Sequence, residues 1–583
     1  MKANLLYRTI ASSQRPLRPP PCVLWVLALL PFLSPPEAEG QFSFTTNNDA
    51  LMVTGYNGPG GAVTIPGTTN GMPVTGIGDY AFQYIYSLTS ITIPDSVGSI
   101  GQYAFYYCNM LTAATIGNSV TSIGDGAFSH CVSLQAITMP DSLGNIGADA
   151  FLYCISLGSV AIPGHVANIG AGALRYCGSL AGITIPGSVT NIGTDALLNC
   201  DNLGAITVDP LNSMYSSLNG VLLDKSQTTL VTYPGGKDGS YTIPNTVTSI
   251  GNDAFSGCPS VTSVAIPDSV TNIGAAAFLD CGSLTNVTIG NNVTRIGDEA
   301  FSYCMSLKAI TVDSTSSVYS DLNGVLFDKS QTTLIAYPDG RAENYTIPNT
   351  VTRIGDYAFS GNIRLTNVTI PSGIRDIGDG AFLDCYNLDS INIPNSVVNI
   401  GDAALEGSGL TSVTIPGGVT SIRDDAFNYC QSLTTVTIGD SVSSIGRRAF
   451  ANCFSLANVY FEGNAPAVDE TAFYIYDGAF EAVYYLPGTT GWGAVFAGVP
   501  AIPWTLPYPL ILSKNPSFGA GANGFGFVIS WATNVHVVVE ACTNLAEPVW
   551  IPAQTNTLTN GSSYFSDPYW TNCAVRFYRA RSQ

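Results

Sequence analysis

A 23-residue repeat constrains this chain more than any other feature. The pattern I-G-x-x-A-F-x-x-C-x-x-L-x-x-I-x-I-P-x-S-V-x-x starts at Ile77, Ile100, Ile123, Ile146, Ile169 and Ile192. It resumes at Ile250, Ile273 and Ile296, then at Ile354, Ile377, Ile400, Ile422 and Ile445, giving 14 copies. The steps are 23 residues except for three: Ile400 to Ile422 is 22, and Ile192 to Ile250 and Ile296 to Ile354 are 58 each, one unit plus 35 residues. A unit this small cannot bury its own apolar face, so it must stack on its copies. The 583 residues therefore do not divide into ordinary domains of about 150.

Within a unit, L-x-x-I-x-I alternates apolar and polar residues, as at Leu88, Ile91 and Ile93, and predicts a short strand that the following Pro or Gly stops. The A-F-x-x-C-x-x-L stretch has apolar residues three apart and predicts a single helical or 3₁₀ turn. Asp79, Asp125, Asp356 and Asp379 are expected to cap the free N–H groups of that same turn. At roughly 4.8 Å per layer, 14 copies make a rod about 65 Å long.

These units resemble the BspA-like family of leucine-rich repeats, whose hallmark is the I-G-x-x-A-F-x-x-C-x-x-L-x-x-I-x-I-P unit. The resemblance covers residues 77–461, with 41–76 similar to the family's N-terminal cap and 462–504 to its C-terminal cap. It implies a mainly β solenoid and an extracellular or surface protein that binds other macromolecules, and it implies no reaction. The two insertions, about 209–243 and 313–347, match each other: LNGVLLDKSQTTLVTYP (Leu218 to Pro234) and LNGVLFDKSQTTLIAYP (Leu322 to Pro338). Each reads as a β-hairpin on the side of the rod, within a duplicated 104-residue block. After Trp504 the pattern stops. Residues 505–583 show short alternating runs such as FGFVISW and VHVVVEAC, which predict a small immunoglobulin- or fibronectin-like β-sandwich.

Residues 1–40 read as a signal peptide. Basic residues precede an apolar run from Val23 to Leu33, too short to span a bilayer, and Ala38-Glu39-Gly40 offers small residues before a cut at Gln41. Secretion or display at a bacterial cell surface follows from that reading, with no membrane insertion after cleavage.

Composition narrows the function. With 21 basic against 41 acidic residues, net −20, phosphate backbones and anionic membranes are poor partners. His130, His165 and His536 are the three histidines, which argues against a His-built metal site. Gly519-Ala-Gly521-Ala-Asn-Gly524 matches G-x-G-x-x-G, but a strand-like run follows it where a dinucleotide site needs a helix. No nucleophile, metal or phosphate-loop motif occurs, so neither enzyme activity nor a cofactor is expected.

Eleven of the 14 cysteines occupy one repeat position, which Ile85 and Asn362 fill in two other copies. A slot that accepts Cys, Ile or Asn suits a packed, reduced thiol, with pairing between adjacent copies as the rival. Cys542 and Cys573 stand apart and are a candidate disulfide.

Three rows of residues could face a partner. The position between the two strand isoleucines is mostly Thr, as at Thr92, Thr115 and Thr138, which suits a solvated strand face. Aspartates at 298, 356, 379, 402, 424 and 425 serve either as caps or as calcium ligands. The residue before the Cys position is Tyr84, Tyr107, His130, Tyr153 and Tyr176 in five consecutive copies, then Asn199, Gly257, Asp280 and Gly361. That aromatic stripe is either a docking surface for sugars or protein, or a structural contact along the rod's edge. Tyr215, Tyr233, Tyr319 and Tyr337 of the insertions are expected to flank it. The expected role is a non-enzymatic binding or adhesion protein for extracellular protein or glycan. The alternative is a self-associating structural component of the cell envelope.

Overall fold

The computed structural model describes residues 41–47, 49–341, 343–475, 482–504, 508–512, 517–521, 524–546, 548–572 and 575–583. The expected signal peptide, with its apolar run and cleavage site, lies outside them.

The repeat builds a β-solenoid with three sides. The first side is a ladder of two-residue strands that end on the opening Ile of each unit, with Ile100, Ile123, Ile146, Ile169 and Ile192 in parallel register. The second side is the predicted L-x-x-I-x-I strand, where Ile91 sits beside Ala114 and Ala114 beside Ile137. Between these sides the apolar positions interlock. Phe105, Phe128 and Phe151 are fully buried, and their rings stack in sequence at 4.9 and 5.6 Å. Thr92, Thr115 and Thr138 alternate outward on the second side in one register, exposed as expected.

The third side differs from the expected helical or 3₁₀ turn. Counting from the opening Ile, the residues at positions four and eight are left-handed, as at Tyr103 and Tyr107, with φ of 52° and 58°. Alternate N–H groups leave the unit for the next one: Tyr103 donates to the Asp125 carbonyl at 2.8 Å, Phe105 to Ala127 at 2.7 Å and Tyr107 to Ser129 at 3.0 Å. The intervening donors close local turns, Tyr106 to Tyr103 at 3.1 Å and Cys108 to Phe105 at 3.2 Å. A helical turn would spend all its donors locally and leave this edge unpaired between layers. The alternating conformation makes a third inter-unit ladder.

The aspartate caps are also displaced by one layer. Asp79 accepts from the N–H of Gln102 at 2.8 Å, Asp125 from Ala148 at 2.8 Å, Asp356 from Asp379 at 3.0 Å and Asp379 from Asp402 at 2.9 Å. Each carboxylate holds the unit 23 residues on, not its own turn. Asp125→Ala is expected to cost about 1 kcal/mol, the usual worth of such a cap, read as a lower urea midpoint at unchanged slope.

Each insertion forms the expected hairpin across its Asp-Lys-Ser-Gln turn, but the hairpin is not set on the rod's side. Tyr215–Leu218 pairs antiparallel with Val221–Asp224, which pairs antiparallel with Thr229–Thr232. That last strand then joins the first-side ladder, with Leu230 beside Ile250. The second insertion repeats this, with Leu334 beside Ile354. Val221, Leu222, Leu223 and Leu230 are all fully buried. A hairpin on the rod's side would leave part of that apolar surface in water. Tyr233 and Tyr337 do not flank a surface: they are buried and take the place of the core Phe, 4.7 Å from Phe255 and 5.2 Å from Phe359. Each insertion is a shortened unit inside the stack, preceded by two antiparallel strands.

In the C-terminal region, Leu510–Leu512, Gly519–Gly521 and Ser562–Asp567 all pair antiparallel with Gly524–Ser530. Val535–Cys542 lies between Ile551–Leu558 and Phe577–Ser582, also antiparallel. The two sheets bury Phe527, Ile529, Val537, Val539, Leu558 and Phe565. The G-x-G-x-x-G match falls in an antiparallel strand pair, with Gly521 opposite Gly524. Of the tryptophans, Trp531 packs against that core, while the Arg579 guanidinium lies 4.5 Å over the Trp550 ring. Among the described residues no helix is long and apolar enough to cross a membrane.

Candidate binding surface

The third side carries the aromatic stripe, and its backbone explains the residue types found there. Tyr84, Tyr107, His130, Tyr153 and Tyr176 all have φ between 58° and 62°. Asn199, Gly257, Asp280 and Gly361 hold the same conformation at the same position. Gly, Asn and Asp adopt it at least cost, so those copies follow backbone demand. Tyr gains nothing from this backbone, and its presence in successive layers is offset by ring contacts.

Those contacts form a continuous ladder. The centroid spacings are 5.7 Å for Tyr84–Tyr107, 4.3 Å for Tyr107–His130, 4.8 Å for His130–Tyr153 and 4.3 Å for Tyr153–Tyr176. At the closest spacings each ring covers its neighbour's face. The middle of the ladder therefore presents ring edges, not open faces, to a partner. Tyr84 alone of the five is exposed.

The structure adds four rings that the stripe did not contain. Tyr80 stacks on Tyr103 at 5.4 Å. Tyr106 meets Tyr103, Tyr107 and His130 edge-on at 5.3, 4.5 and 5.5 Å, and Tyr86 lies 6.0 Å from Tyr84. Tyr80 and Tyr86 are about half exposed, at 52% and 54%. Nine aromatic residues thus share the N-terminal end of the third side. Burial and the neighbouring tyrosines push the Tyr106 phenol up to about 12, so it stays a neutral donor. Burial lowers His130, against the pull of Asp149, and its Nδ1 lies 2.9 Å from Ser129 Oγ.

The repeat cysteines stand directly behind this surface. All eleven are buried and free, and each Sγ donates to a carbonyl of the preceding layer at 3.0–3.4 Å, as from Cys108 to Phe82 at 3.2 Å. Ser408 is a third substitute in this slot, beside Ile85 and Asn362, with its Oγ 3.3 Å from Cys430 Sγ. Burial pushes the Cys108 thiol up to about 12 and raises the Cys131 thiol well above its ordinary value, so thiolate is scarce at neutral pH. The folded protein is expected to leave these eleven thiols unreacted with an aromatic disulfide reagent at pH 8. All should titrate in guanidinium. In the C-terminal region, Cys542 Sγ donates to the Asn544 carbonyl at 3.1 Å, while Cys573 lies outside the described residues.

The BspA type leucine-rich repeat region model matches residues 75–204, 238–340, 336–457 and 398–479, in six copies. The chain belongs to the BspA-type leucine-rich repeat family. It is similar to a leucine-rich cell surface protein from Faecalibacterium prausnitzii, at 31% identity over 73% of this chain and 94% of that one, with a TM-score of 0.35. It is similar to a leucine-rich repeat protein from Bacteroides ovatus at 26% identity, over 72% and 92% of the two chains, with a TM-score of 0.40. A leucine-rich repeat protein from Eubacterium ventriosum matches at 26% identity over 63% and 92%, with a TM-score of 0.42. No curated protein matches the chain.

In this BspA-type repeat the aspartate row is spent mainly within the rod. Asp356, Asp379 and Asp424 cap the next layer, and Asp425 pairs with Arg448 at 2.8 Å. Among the described residues no three His, Cys, Asp or Glu side chains stand close enough to hold a metal ion.

Proposed function

We propose that this BspA-type protein is an exported, non-enzymatic binding or adhesion protein at a bacterial surface, which docks an extracellular protein or glycan on its N-terminal aromatic face. The nine clustered rings from Tyr80 to Tyr176 carry this reading. Few residue types add as much binding energy per side chain as Tyr, and clustered anchors dominate docking surfaces. The ring geometry divides the work. Tyr80, Tyr84 and Tyr86, exposed at one end, offer faces to an apolar group or a sugar ring. The stacked Tyr107–Tyr176 ladder offers hydroxyls and edges in a straight row.

The test is an array of glycans and matrix proteins probed with the native chain, then with a Tyr80→Ala/Tyr86→Ala variant and a Tyr107→Ala/Tyr153→Ala variant. Loss of an anchor pair is expected to weaken the partner found by at least tenfold, about 1.4 kcal/mol. Unchanged binding by both variants would dismiss the aromatic face. The alternative of self-association predicts a mass that rises with concentration in light scattering, and a constant mass would dismiss that instead.

A further inference from the structure

One joint of the rod is tied on a single side. The step from Ile400 to Ile422 is a residue short because Ser408-Gly409-Leu410 stands where most units have Cys-x-x-Leu. On the first side Asn399–Ile400 pairs with Asp376–Ile377, and Ser421–Ile422 pairs with Ser444–Ile445, but these two ladders do not meet. On the second side Ser390–Ile391 and Ser412–Ile415 likewise end separate sheets.

The smaller ties fail at the same place. Gly401 N–H donates to the Ile377 carbonyl at 2.9 Å and Gly446 N–H to Ile422 at 2.8 Å, whereas Arg423 makes no such bond to Ile400. Asp379 accepts from the Asp402 N–H at 2.9 Å and Asp424 from Arg447 at 2.8 Å, whereas Asp402 caps nothing across the joint. Ser142, Ser188 and Ser269 tie their turns to a valine carbonyl of the preceding layer at 2.6–2.8 Å. Gly418 holds that position here. It lies against the Val397 carbonyl and has no hydroxyl to bond it. In the core, Leu405 separates the Phe359–Phe382 and Phe427–Phe450 stacks, whose spacings are 4.8 and 5.1 Å.

Among the described residues only the third side runs through. Ala403, Leu405 and Gly407 donate to the carbonyls of Asp424, Ala426 and Asn428 at 2.9, 2.9 and 2.8 Å, and Thr411 donates to Asp389 at 3.1 Å at the corner beside them. Other interruptions are better tied. After Thr138 the second side stops, but the first side continues through Ile146, Ile169 and Ile192. At the insertions the added strands reach across, with Ile206 donating to Gly220 at 2.8 Å and Ile310 to Gly324 at 2.9 Å.

A stacked unit is held by its neighbours alone, so stiffness at a joint follows the bonds made there. We propose that the joint between Ile400 and Ile422 is a hinge. The rod from Ile422 onward rocks as one body against the layers before it, about the third side. The groove of about 480 Å³ on the first side, lined by Asn399, Asp402, Ser421 and Arg423, is the space this motion widens and narrows. Gly409, Gly417 and Gly418 place small residues at the corners that must flex. The N-terminal aromatic face can then turn relative to the C-terminal sheets while both stay folded.

Nitroxide pairs on the first side read the hinge by double electron–electron resonance. Arg353→Cys/Ser444→Cys and Ser99→Cys/Asn191→Cys both label the residue before an opening Ile, four layer steps and ~19 Å apart. The first pair spans the joint, and the second spans continuous ladder. The eleven repeat thiols are buried and should take up no label, and Cys22, Cys542 and Cys573 are replaced by Ser in both. The distance distribution is expected to be at least twice as broad across the joint. Inserting Asn between Gly409 and Leu410 restores the 23-residue step and should narrow it to the width of the second pair. Equal widths in the two pairs, or a width that the insertion leaves unchanged, overturns the hinge. If the insertion variant does not fold, the comparison of the two pairs decides alone.

Discussion

Phe128→Ala is expected to cost about 3–5 kcal/mol and to open the rod at one place. The ring is fully buried, stacked 4.9 Å from Phe105 and 5.6 Å from Phe151. Truncation removes the transfer energy of the ring and leaves a cavity that the layers can close only by moving together. They cannot move far, because three inter-layer ladders already hold them at hydrogen-bond distance: Ile123 beside Ile146 on the first side, Ile137 beside Ala114 on the second, and Phe128 N–H to the Ala150 carbonyl at 2.8 Å on the third. Each layer contacts mainly its two neighbours, so the loss concentrates there and does not spread evenly. Limited proteolysis should cut first between residues 100 and 170, while the layers after Ile354 stay protected. A uniform loss of protection along the whole chain would show that the rod unfolds as one unit.

The parts of the fold legible in the sequence are those that depend on apolar spacing. Leu88, Ile91 and Ile93 mark a strand because their alternation has one solution, and the 23-residue step names the stack. The third side was harder to read. Apolar residues three apart in A-F-x-x-C fit a helical turn as well as a chain that alternates local and inter-layer hydrogen bonds. The signal that separates them is the residue set Asn199, Gly257, Asp280 and Gly361, which favours the left-handed backbone. Gly361 is the sharpest case: a Cβ there would stand 2.6 Å from the Tyr303 ring, and that ring passes over the glycine to reach Asp384 at 2.5 Å. The place of the insertion hairpins inside the stack is hidden for a related reason. A two-residue shortening hides the alignment of Leu230 with the opening Ile and of Tyr233 with the core Phe.

The candidate surface was legible only in part. Tyr84, Tyr107, His130, Tyr153 and Tyr176 occupy one position in successive units, so periodicity finds them. Tyr80 and Tyr103 share their position with Gly126 and Asp149, and Tyr106 shares its own with Gln83 and Ser129. Rings that meet across positions leave no period.

Gly170→Val is expected to be among the most damaging single substitutions on the first side, for a reason of space and not of dihedral angle. The second residue of most units is Gly, and at 101, 124, 147, 170 and 193 an added Cβ would stand 2.3–2.7 Å from backbone atoms of the preceding layer or their flanking carboxylate. For Gly170 the contact is 2.4 Å from the Ala148 nitrogen, and no rotamer relieves a clash with backbone. The layers would have to part, stretching the bond from Gly170 N–H to the Ile146 carbonyl, now 2.9 Å. Overpacking of a flexible core costs about 1–3 kcal/mol, and a rigid stack should exceed that, read as a lower melting temperature and early cleavage beside residue 170. The exception supports the rule. Arg423 occupies this position after the one short step of 22 residues, where the Asn399–Ile400 and Ser421–Ile422 strands belong to separate sheets and leave an open groove lined by Asp402, Arg423 and Asp424. Arg423→Gly should therefore change the melting temperature little. A large stabilisation by Arg423→Gly, or a neutral Gly170→Val, would show that layer spacing is not what selects glycine.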